Sequence, residues 1–239
     1  MIAAGEIAAV LERVRQKRPR VHAIMNSVAQ KLVADGLSVL GAIPSMTANS
    51  EEITDFVAKA DALLVNLGTL EGERRGVIRA ALSSMRQRGR PAILDPVFCD
   101  VSQPRLAFAR ELLGAGITTV RGNKSEMEAI GATEAIVRIE TGPVDTIRLG
   151  ARTISLANGH PWLTLVSGTG CLSGALVAAF QAVEPDGLTA AAAAMASLSI
   201  AAEIAAEKAE GPGSFAPALL DVLHNIDEKA FSDRLRIVE

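Results

Sequence analysis

The chain of 239 residues has few aromatic and few sulfur-containing groups: no tyrosine, one tryptophan and two cysteines. Cys99 and Cys171 are too few for a disulfide framework, and neither occurs in a metal-ligand spacing. Three histidines leave few partners for a nucleophilic cysteine. The net charge is -3 and the basic residues are scattered, so the sequence lacks the electrostatic footprint of a nucleic-acid-binding protein. We therefore expect no nucleic-acid partner.

Linkers and targeting segments are also missing. No Pro/Ser-rich or charge-rich stretch divides the chain, so we predict a single domain over residues 1–239. The N-terminus lacks the basic region of a secretory signal. The alanine-rich stretch 188–206 is long enough to cross a bilayer, but its small residues and Glu203 favour a buried core helix. These features predict a cytoplasmic protein without a membrane partner.

Short apolar segments alternate with helical periodicity along the chain. The segments typical of strands are VHAIM, ALLVNLGT, PAILDPV, ITTVRGN and AIVRIE. Those with helical spacing include VAQKLVADGLSVLGA, EEITDFVAKA, RRGVIRAALSSMRQRG and RLAFARELLGAG. This alternation predicts an α/β fold with a mostly parallel sheet and helices on both faces.

Polar residues follow five of the predicted strands in turn: Asn26, Asn66, Asp95, Arg121 and Thr141. In open parallel sheets, ligands bind beyond the carboxyl ends of the strands. Any one of these residues is explained by turn chemistry, but the series of five along one sheet edge predicts a binding site.

The stretch VSGTGCLSGALVAAF, residues 166–180, predicts a glycine turn that leads into a helix. Gly168 and Gly170 allow successive amides to converge on one point, and a helix N-terminus adds free N–H groups and positive potential. Such an arrangement binds anions, phosphate above all. Asp95 and Glu126 are candidate ligands of a divalent cation, and Arg121 is a candidate phosphate ligand.

Cys171 at the mouth of this helix has several interpretations. It is a small buried hydrophobe, or the helix end lowers its pKa so that a thiolate acts as nucleophile or as general base. A nucleophile requires a histidine partner. His22, His160 and His224 do not follow predicted strands in a suitable way, so the base interpretation is favoured over a cysteine-dependent hydrolase.

Several motifs together resemble the hydroxyethylthiazole kinases, which have a ribokinase-like fold. They are VHAIMNSVAQKLVADGLSVLGAIPSM, LLVNLGTL, ILDPV, VRGNKSE, TGPVD, NGHPWLTLVSGTGC and EGPGSF, and their order and approximate spacing match over nearly the whole chain. The resemblance implies ATP-dependent, Mg²⁺-assisted phosphorylation of the hydroxyl of 4-methyl-5-(2-hydroxyethyl)thiazole. It also implies a homotrimer with active sites at subunit boundaries.

The resemblance further implies roles for individual residues. Cys171 is the catalytic base, Arg121 and Thr141 bind ATP, and Asp95 and Glu126 organise Mg²⁺. The anion hole consists of four consecutive residues: Gly168, Thr169, Gly170 and Cys171. The thiazole alcohol is contacted by Asn26, Val28, Pro44, Met46, Gly68 and Gly168.

Two departures from the family pattern stand out. After LDPV the chain reads FCDVSQPR, where the family has a turn containing Gly and Ala or Ser. Only fifteen positions separate Glu126 from Thr141, so a segment near residues 127–136 is shortened and omits a helix. This shortening leaves open an alternative function, a thiazole-binding or regulatory homologue with weak kinase activity.

Overall fold

In the computed structural model, which describes residues 2–131 and 133–238, nine strands form one sheet. The expected domain 1–239 and the expected shortened segment 127–136 thus include residues outside the described part. The sheet order is β2-β1-β3-β4-β5-β6-β7-β8-β9, with parallel pairing from β2 to β6 and antiparallel pairing from β6 to β9. The strands are β1 Arg20–Ile24, β2 Ile43–Ser45, β3 Ala62–Asn66, β4 Ala92–Asp95, β5 Thr119–Asn123, β6 Val137–Thr141, β7 Asp145–Leu149, β8 Arg152–Leu156 and β9 Ile237–Val238.

Helices connect the parallel strands and cover both faces of the sheet. They are α1 Ala4–Lys17, α2 Gln30–Leu40, α3 Ile53–Lys59, α4 Arg74–Gln87, α5 Gln103–Leu113, α6 Lys124–Ile130, α7 Thr169–Gln181, α8 Gly187–Lys208, α9 Pro212–Asn225 and α10 Glu228–Arg234. The predicted α/β class with a mostly parallel sheet and helices on both faces is confirmed.

The central strands are apolar on both sides because each face carries its own helical layer. In β3, Ala62 and Leu64 pack under α1, α2 and α7 to α10, whereas Leu63 and Val65 pack under α3 to α6. The period of two along a strand therefore divides one continuous apolar run between two cores.

α8 is the central helix of the larger core. Its length and composition meet the requirements of a membrane span, yet 83% of its most apolar window is buried inside the fold. Its alanines allow close packing against α7 and α9. The prediction of a buried core helix at residues 188–206 is confirmed.

Four short strands were not expected from the sequence: β2 and β7 to β9. β7 and β8 form a hairpin around Gly150, which has φ +56°. Their sequences, DTIRL and RTISL, carry polar residues on the outer face, so the apolar runs that reveal β1 and β3 to β5 are missing. β2 has three residues and lies at the sheet edge.

Candidate active site

The polar residues that follow the parallel strands meet above the carboxyl edge of the sheet, beside the N-terminus of α7. A cavity of about 950 Å³ opens there. Asp95, Arg121, Glu126 and Thr141 line it together with the stretch from Gly168 to Cys171. The structure thus brings these residues, which are far apart in the chain, together at one cavity.

The turn before α7 is shaped by its two glycines. Gly168 is the N-cap with φ +96°, a left-handed conformation, and a Cβ atom there would lie 3.0 Å from the Cβ of Ala29. A Cβ atom on Gly170 would lie 3.2 Å from Arg121 Nη1. The absence of side chains thus lets the guanidinium approach the helix end, where the first amides lack intrahelical partners. Free amides and a guanidinium together form an anion-binding site.

Cys171 is the third residue of α7, and two amide side chains contact its sulfur. Asn66 donates from Nδ2 at 3.3 Å and Asn26 donates from Nδ2 at 3.4 Å. Neither neighbour is a histidine. His160 lines the same cavity, but its Nδ1 accepts the backbone N–H of Trp162. The sulfur therefore lies between hydrogen-bond donors and is not part of a Cys–His nucleophile pair.

The expectation that the helix end lowers the pKa of Cys171 is wrong for the ligand-free chain. Burial and the nearby Asp95 carboxylate raise the pKa of the thiol to about 11, and the amides of Asn26 and Asn66 and the charge of Arg121 only partly oppose this. Desolvation disfavours a thiolate more strongly than the favourable dipoles stabilise it. Cys171 is accordingly a neutral thiol at pH 7.

Asp95 is the most deeply buried charged group of the site, with 1% exposure. Its Oδ2 accepts a hydrogen bond from Asn66 at 2.9 Å and lies 3.9 Å from Arg121 Nη1. Among the residues that the structure describes, none hydrogen-bonds to its buried Oδ1. Burial raises the pKa of Asp95 to about 6 although Arg121 opposes the shift. The carboxylate is thus ionised at neutral pH and has one oxygen free for a ligand.

Glu126 is fixed by two backbone amides. Oε1 accepts from Phe98 at 2.8 Å and Oε2 accepts from Asn123 at 2.9 Å, the latter within a capping box at the start of α6. This capping explains why the segment Asn123 to Glu126 folds as a helix N-terminus. The two hydrogen bonds also fix the carboxylate at the cavity wall, where Glu126 is 6% exposed.

The residues present fit a hydrated Mg²⁺ ion. Among residues 2–131 and 133–238, no group of three or more His, Cys, Asp or Glu forms a protein-only metal cluster. Mg²⁺ in nucleotide sites typically binds one or two carboxylates, with waters and phosphates as its other ligands. The unpartnered Oδ1 of Asp95 and the nearby Glu126 carboxylate match that requirement.

Two residues at the end of β6 and the start of β7 complete the wall beside Arg121. Thr141 Oγ1 donates to the carbonyl of Gly122 at 3.3 Å, which joins the ends of β5 and β6. Asp145 accepts the N–H of Gly142 at 3.0 Å, and burial raises the pKa of Asp145 to about 6. The sequence analysis did not single out Asp145; its position three residues after Gly142 is typical of a side chain that closes a turn.

The residues implied for the thiazole divide into two groups. Asn26 and Gly68 lie beside Cys171, because a Cβ atom on Gly68 would be 2.9 Å from Asn26 Nδ2. Gly168 lines the cavity of Cys171, whereas Asn26, Gly68, Val28, Pro44 and Met46 do not. Val28 is 79% exposed, and Pro44 lines a separate cavity at the sheet edge.

Asn66 is the functional candidate that the sequence analysis noticed but did not assign. Its amide donates to both Cys171 and Asp95, and its Oδ1 accepts the N–H of Gly68 and a hydrogen bond from Asn26. Its only sequence signal was a polar residue at the end of a buried strand. The three-dimensional arrangement makes it the link between Cys171, the acidic group and the turn of Gly68.

The model of the hydroxyethylthiazole kinase family matches the chain in two pieces, residues 11–138 and 129–229. The pieces overlap at 129–138, which includes the end of α6, the connection to β6 and the start of β6. That connection overlaps with the segment expected to be shortened, which remains a prediction.

Curated relatives match over nearly the full length. A probable hydroxyethylthiazole kinase of Agrobacterium fabrum is 56% identical, over 98% of this chain and 95% of that protein. A hydroxyethylthiazole kinase of Granulibacter bethesdensis is 38% identical, over 96% and 93% respectively.

Solved structures share the fold. The hydroxyethylthiazole kinase protein from Pyrococcus horikoshii superimposes with a TM-score of 0.93 at 35% identity, over 98% of this chain and 99% of that one. A ribokinase-like superfamily protein from Enterococcus faecalis matches with a TM-score of 0.65 at 13% identity, over 95% and 96%, which extends the likeness at the level of fold alone. The architecture is ribokinase-like, and the chain belongs to the hydroxyethylthiazole kinase family.

Proposed function

We propose that the protein phosphorylates the hydroxyl of 4-methyl-5-(2-hydroxyethyl)thiazole with ATP, giving the thiazole phosphate used in thiamine biosynthesis. The observation that carries this proposal is the position of Cys171. Its thiol lies at the third residue of α7, beside a glycine turn that the Arg121 guanidinium closely approaches at the cavity wall. The sulfur that accepts the proton and the helix end that binds phosphate are thus adjacent, as transfer to an alcohol requires.

In this function, the amides from Gly168 to Cys171 and the Arg121 guanidinium bind the transferred phosphoryl group. Phosphoryl transfer depends mainly on alignment and on stabilisation of charge at the phosphoryl oxygens. The hydroxyl of Thr141 and the rest of the cavity wall bind the remaining phosphates. Asn26 and Gly68 orient the alcohol toward Cys171.

Cys171 accepts the proton of the alcohol as a thiolate, after its own proton has passed to solvent. In the ligand-free chain the thiol is neutral, so this deprotonation precedes transfer. As the oxygen–phosphorus bond forms, the alcohol becomes far more acidic and its proton passes to the sulfur. Asn26 and Asn66 keep the sulfur in place throughout.

A bound Mg²⁺ ion would neutralise phosphate charge and align the leaving group. Asp95 would hold it through Oδ1, and Glu126 would order its waters. The N–H groups of Phe98 and Asn123 keep the Glu126 carboxylate in place for this task.

The oligomer and location follow from the same proposal. We assign the protein to the cytoplasm as a homotrimer, in which Val28, Pro44 and Met46 serve a site at a subunit boundary.

The alternative, a thiazole-binding homologue with weak kinase activity, is not favoured, because the described site retains the glycine turn, Cys171, Asp95, Arg121 and Glu126. A coupled assay of ADP release with the thiazole alcohol tests the proposal. Calorimetry with the alcohol, with and without MgATP, distinguishes binding from turnover. Thiazole binding without thiazole-dependent ADP release would support the alternative.

A further inference from the structure

Phe98 combines three features that packing does not explain. It has φ +57°, in the left-handed region that favours glycine. Its side chain is 60% exposed. It also lines the cavity of Cys171, in the segment that follows β4. An exposed aromatic residue in a strained conformation contributes little to the core, and such strain is concentrated at functional sites.

Hydrogen bonds fix the loop around Phe98 at both the N–H and the carbonyl of that residue. The Phe98 N–H donates to Glu126 Oε1 at 2.8 Å, and the carbonyl accepts the amides of Val101 and Ser102. The fully buried Cys99 donates from Sγ to the carbonyl of Glu126 at 3.6 Å. Phe98 therefore lines the cavity on a backbone that hydrogen bonds fix at its N–H and its carbonyl.

The surroundings of the ring are polar. Within the cavity, Phe98 is accompanied by Asp95, Arg121 and Glu126, the groups that bind phosphate and cation in the proposed function. An apolar ring at this place excludes water from charged groups whose interactions strengthen when water is removed.

We propose that Phe98 is a substrate-contacting residue whose ring covers the phosphoryl-transfer centre and protects ATP from water. This inference rests on the proposed kinase function. In the side reaction that the ring suppresses, a water oxygen bonds to the γ-phosphorus and the bond to the β–γ bridging oxygen breaks. ADP and inorganic phosphate leave, and the water proton passes to solvent.

The test compares F98A with V101A, a matched control because Val101 lies in the same loop, is 77% exposed and does not line the cavity. The measured quantity is thiazole phosphate formed per ADP released. We expect a ratio near one for the wild type and V101A, and a ratio at least threefold lower for F98A, because F98A also releases ADP without the thiazole alcohol. A ratio in F98A equal to that in V101A would overturn the proposal.

A spectroscopic measurement separates contact from a change in the loop. Trp162 is the only tryptophan, so F98W in a W162F background reports on position 98 alone. We expect MgADP plus the thiazole alcohol to shift its emission, whereas V101W in the same background does not respond. If the emission of F98W does not shift, the proposed contact is overturned, even if F98A releases ADP without forming thiazole phosphate.

Failure of the inference and failure of the proposed function give different results. A wild type that releases no ADP in response to the thiazole alcohol contradicts the proposed function itself. A wild type that couples the two products one to one, together with an F98A variant that does the same, contradicts only the role of Phe98.

Discussion

The side-chain amide nitrogen of Asn66 lies 3.3 Å from the sulfur of Cys171, although 105 positions separate the two residues in the chain. The same amide donates to Asp95 at 2.9 Å. A strand end and a helix start are thus joined in one polar network at the base of the cavity. Such networks are more than the sum of their pairs, so each member is a sensitive site for substitution.

Cys171→Ala should lower kcat by about 100-fold or more and change the Kd of the thiazole alcohol only several-fold, because proton acceptance acts in the transition state. Cys171→Asp should retain activity, since Asn26 and Asn66 can donate to a carboxylate at that place. Steady-state kinetics and calorimetry measure the two effects. Wild-type turnover by Cys171→Ala would mean that the cysteine only packs.

Asn66→Ala should lower the free energy of unfolding by about 1–3 kcal/mol, because it leaves the N–H of Gly68 and Oδ2 of Asp95 without their partner. It should also lower kcat. Urea denaturation gives the stability. Asn225→Ala, at an exposed position of α9, is the control and should unfold like the wild type. Equal stability of the two variants would argue against a structural network at Asn66.

Glu126→Gln should raise the Mg²⁺ concentration needed for half-maximal rate, since it removes a charge that orders the hydrated cation. The substitution also places an amide NH₂, a donor, opposite the N–H of either Phe98 or Asn123. We therefore expect a modest decrease in the free energy of unfolding. Glu128→Gln, on the exposed side of the same helix, is the matched control. The prediction fails if both variants have the Mg²⁺ titration of the wild type.

The pH dependence of stability should include a contribution from Asp145. Its folded pKa, about 6, is raised above the ordinary value of 3.8, so the folded state retains a proton that the unfolded chain loses. Stability from this group is present below pH 4 and decreases as the pH rises toward 6. Asp145→Asn keeps an acceptor for the Gly142 N–H and removes the charge.

Above pH 6, Asp145→Asn should therefore be more stable than the wild type by on the order of 2 kcal/mol, and the difference should disappear near pH 4. Urea titrations at pH 4 and pH 7.5 measure this. Asp221→Asn, at an exposed position of α9, should show no difference at either pH. A difference independent of pH would contradict an electrostatic origin.

The segment 127–136, which the sequence predicts to be shortened, leads to a prediction on nucleotide selectivity. Loss of an apolar wall of a few tens of Å² would cost about 1 kcal/mol, or roughly fivefold in affinity. We expect weak ATP binding and little discrimination between ATP and GTP, with ordinary thiazole affinity. The KM values for both nucleotides, beside the Kd of the thiazole, test this. A low KM selective for ATP would mean that another segment supplies the wall.

The sequence predicts the centre of this fold better than its edges. β3 and β4 are recognisable because burial on both faces makes them apolar up to the polar residue at their carboxyl end. β7 and β8 have mixed, half-exposed faces, and their pairing depends on partners that are distant from the local pattern. Long-range pairing therefore decides these strands, and single-sequence periodicity does not reveal it.

The candidate site likewise has features that the sequence predicts and features that it does not. Strand ends and the glycine turn predicted which residues meet, because topology brings carboxyl ends to one edge. The pKa of Cys171 was predicted with the wrong sign, since burial and the charge of Asp95 depend on packing that the sequence does not display. The strain at Phe98 was likewise invisible, because no sequence signal indicates a positive φ for phenylalanine.

The most direct test of the proposed activity is ADP release by the wild type with MgATP, measured with and without the thiazole alcohol and with identification of the product. We predict ADP release that depends on the alcohol and one thiazole phosphate for each ADP. ADP release that does not depend on the alcohol, or no release despite thiazole binding by calorimetry, would contradict it.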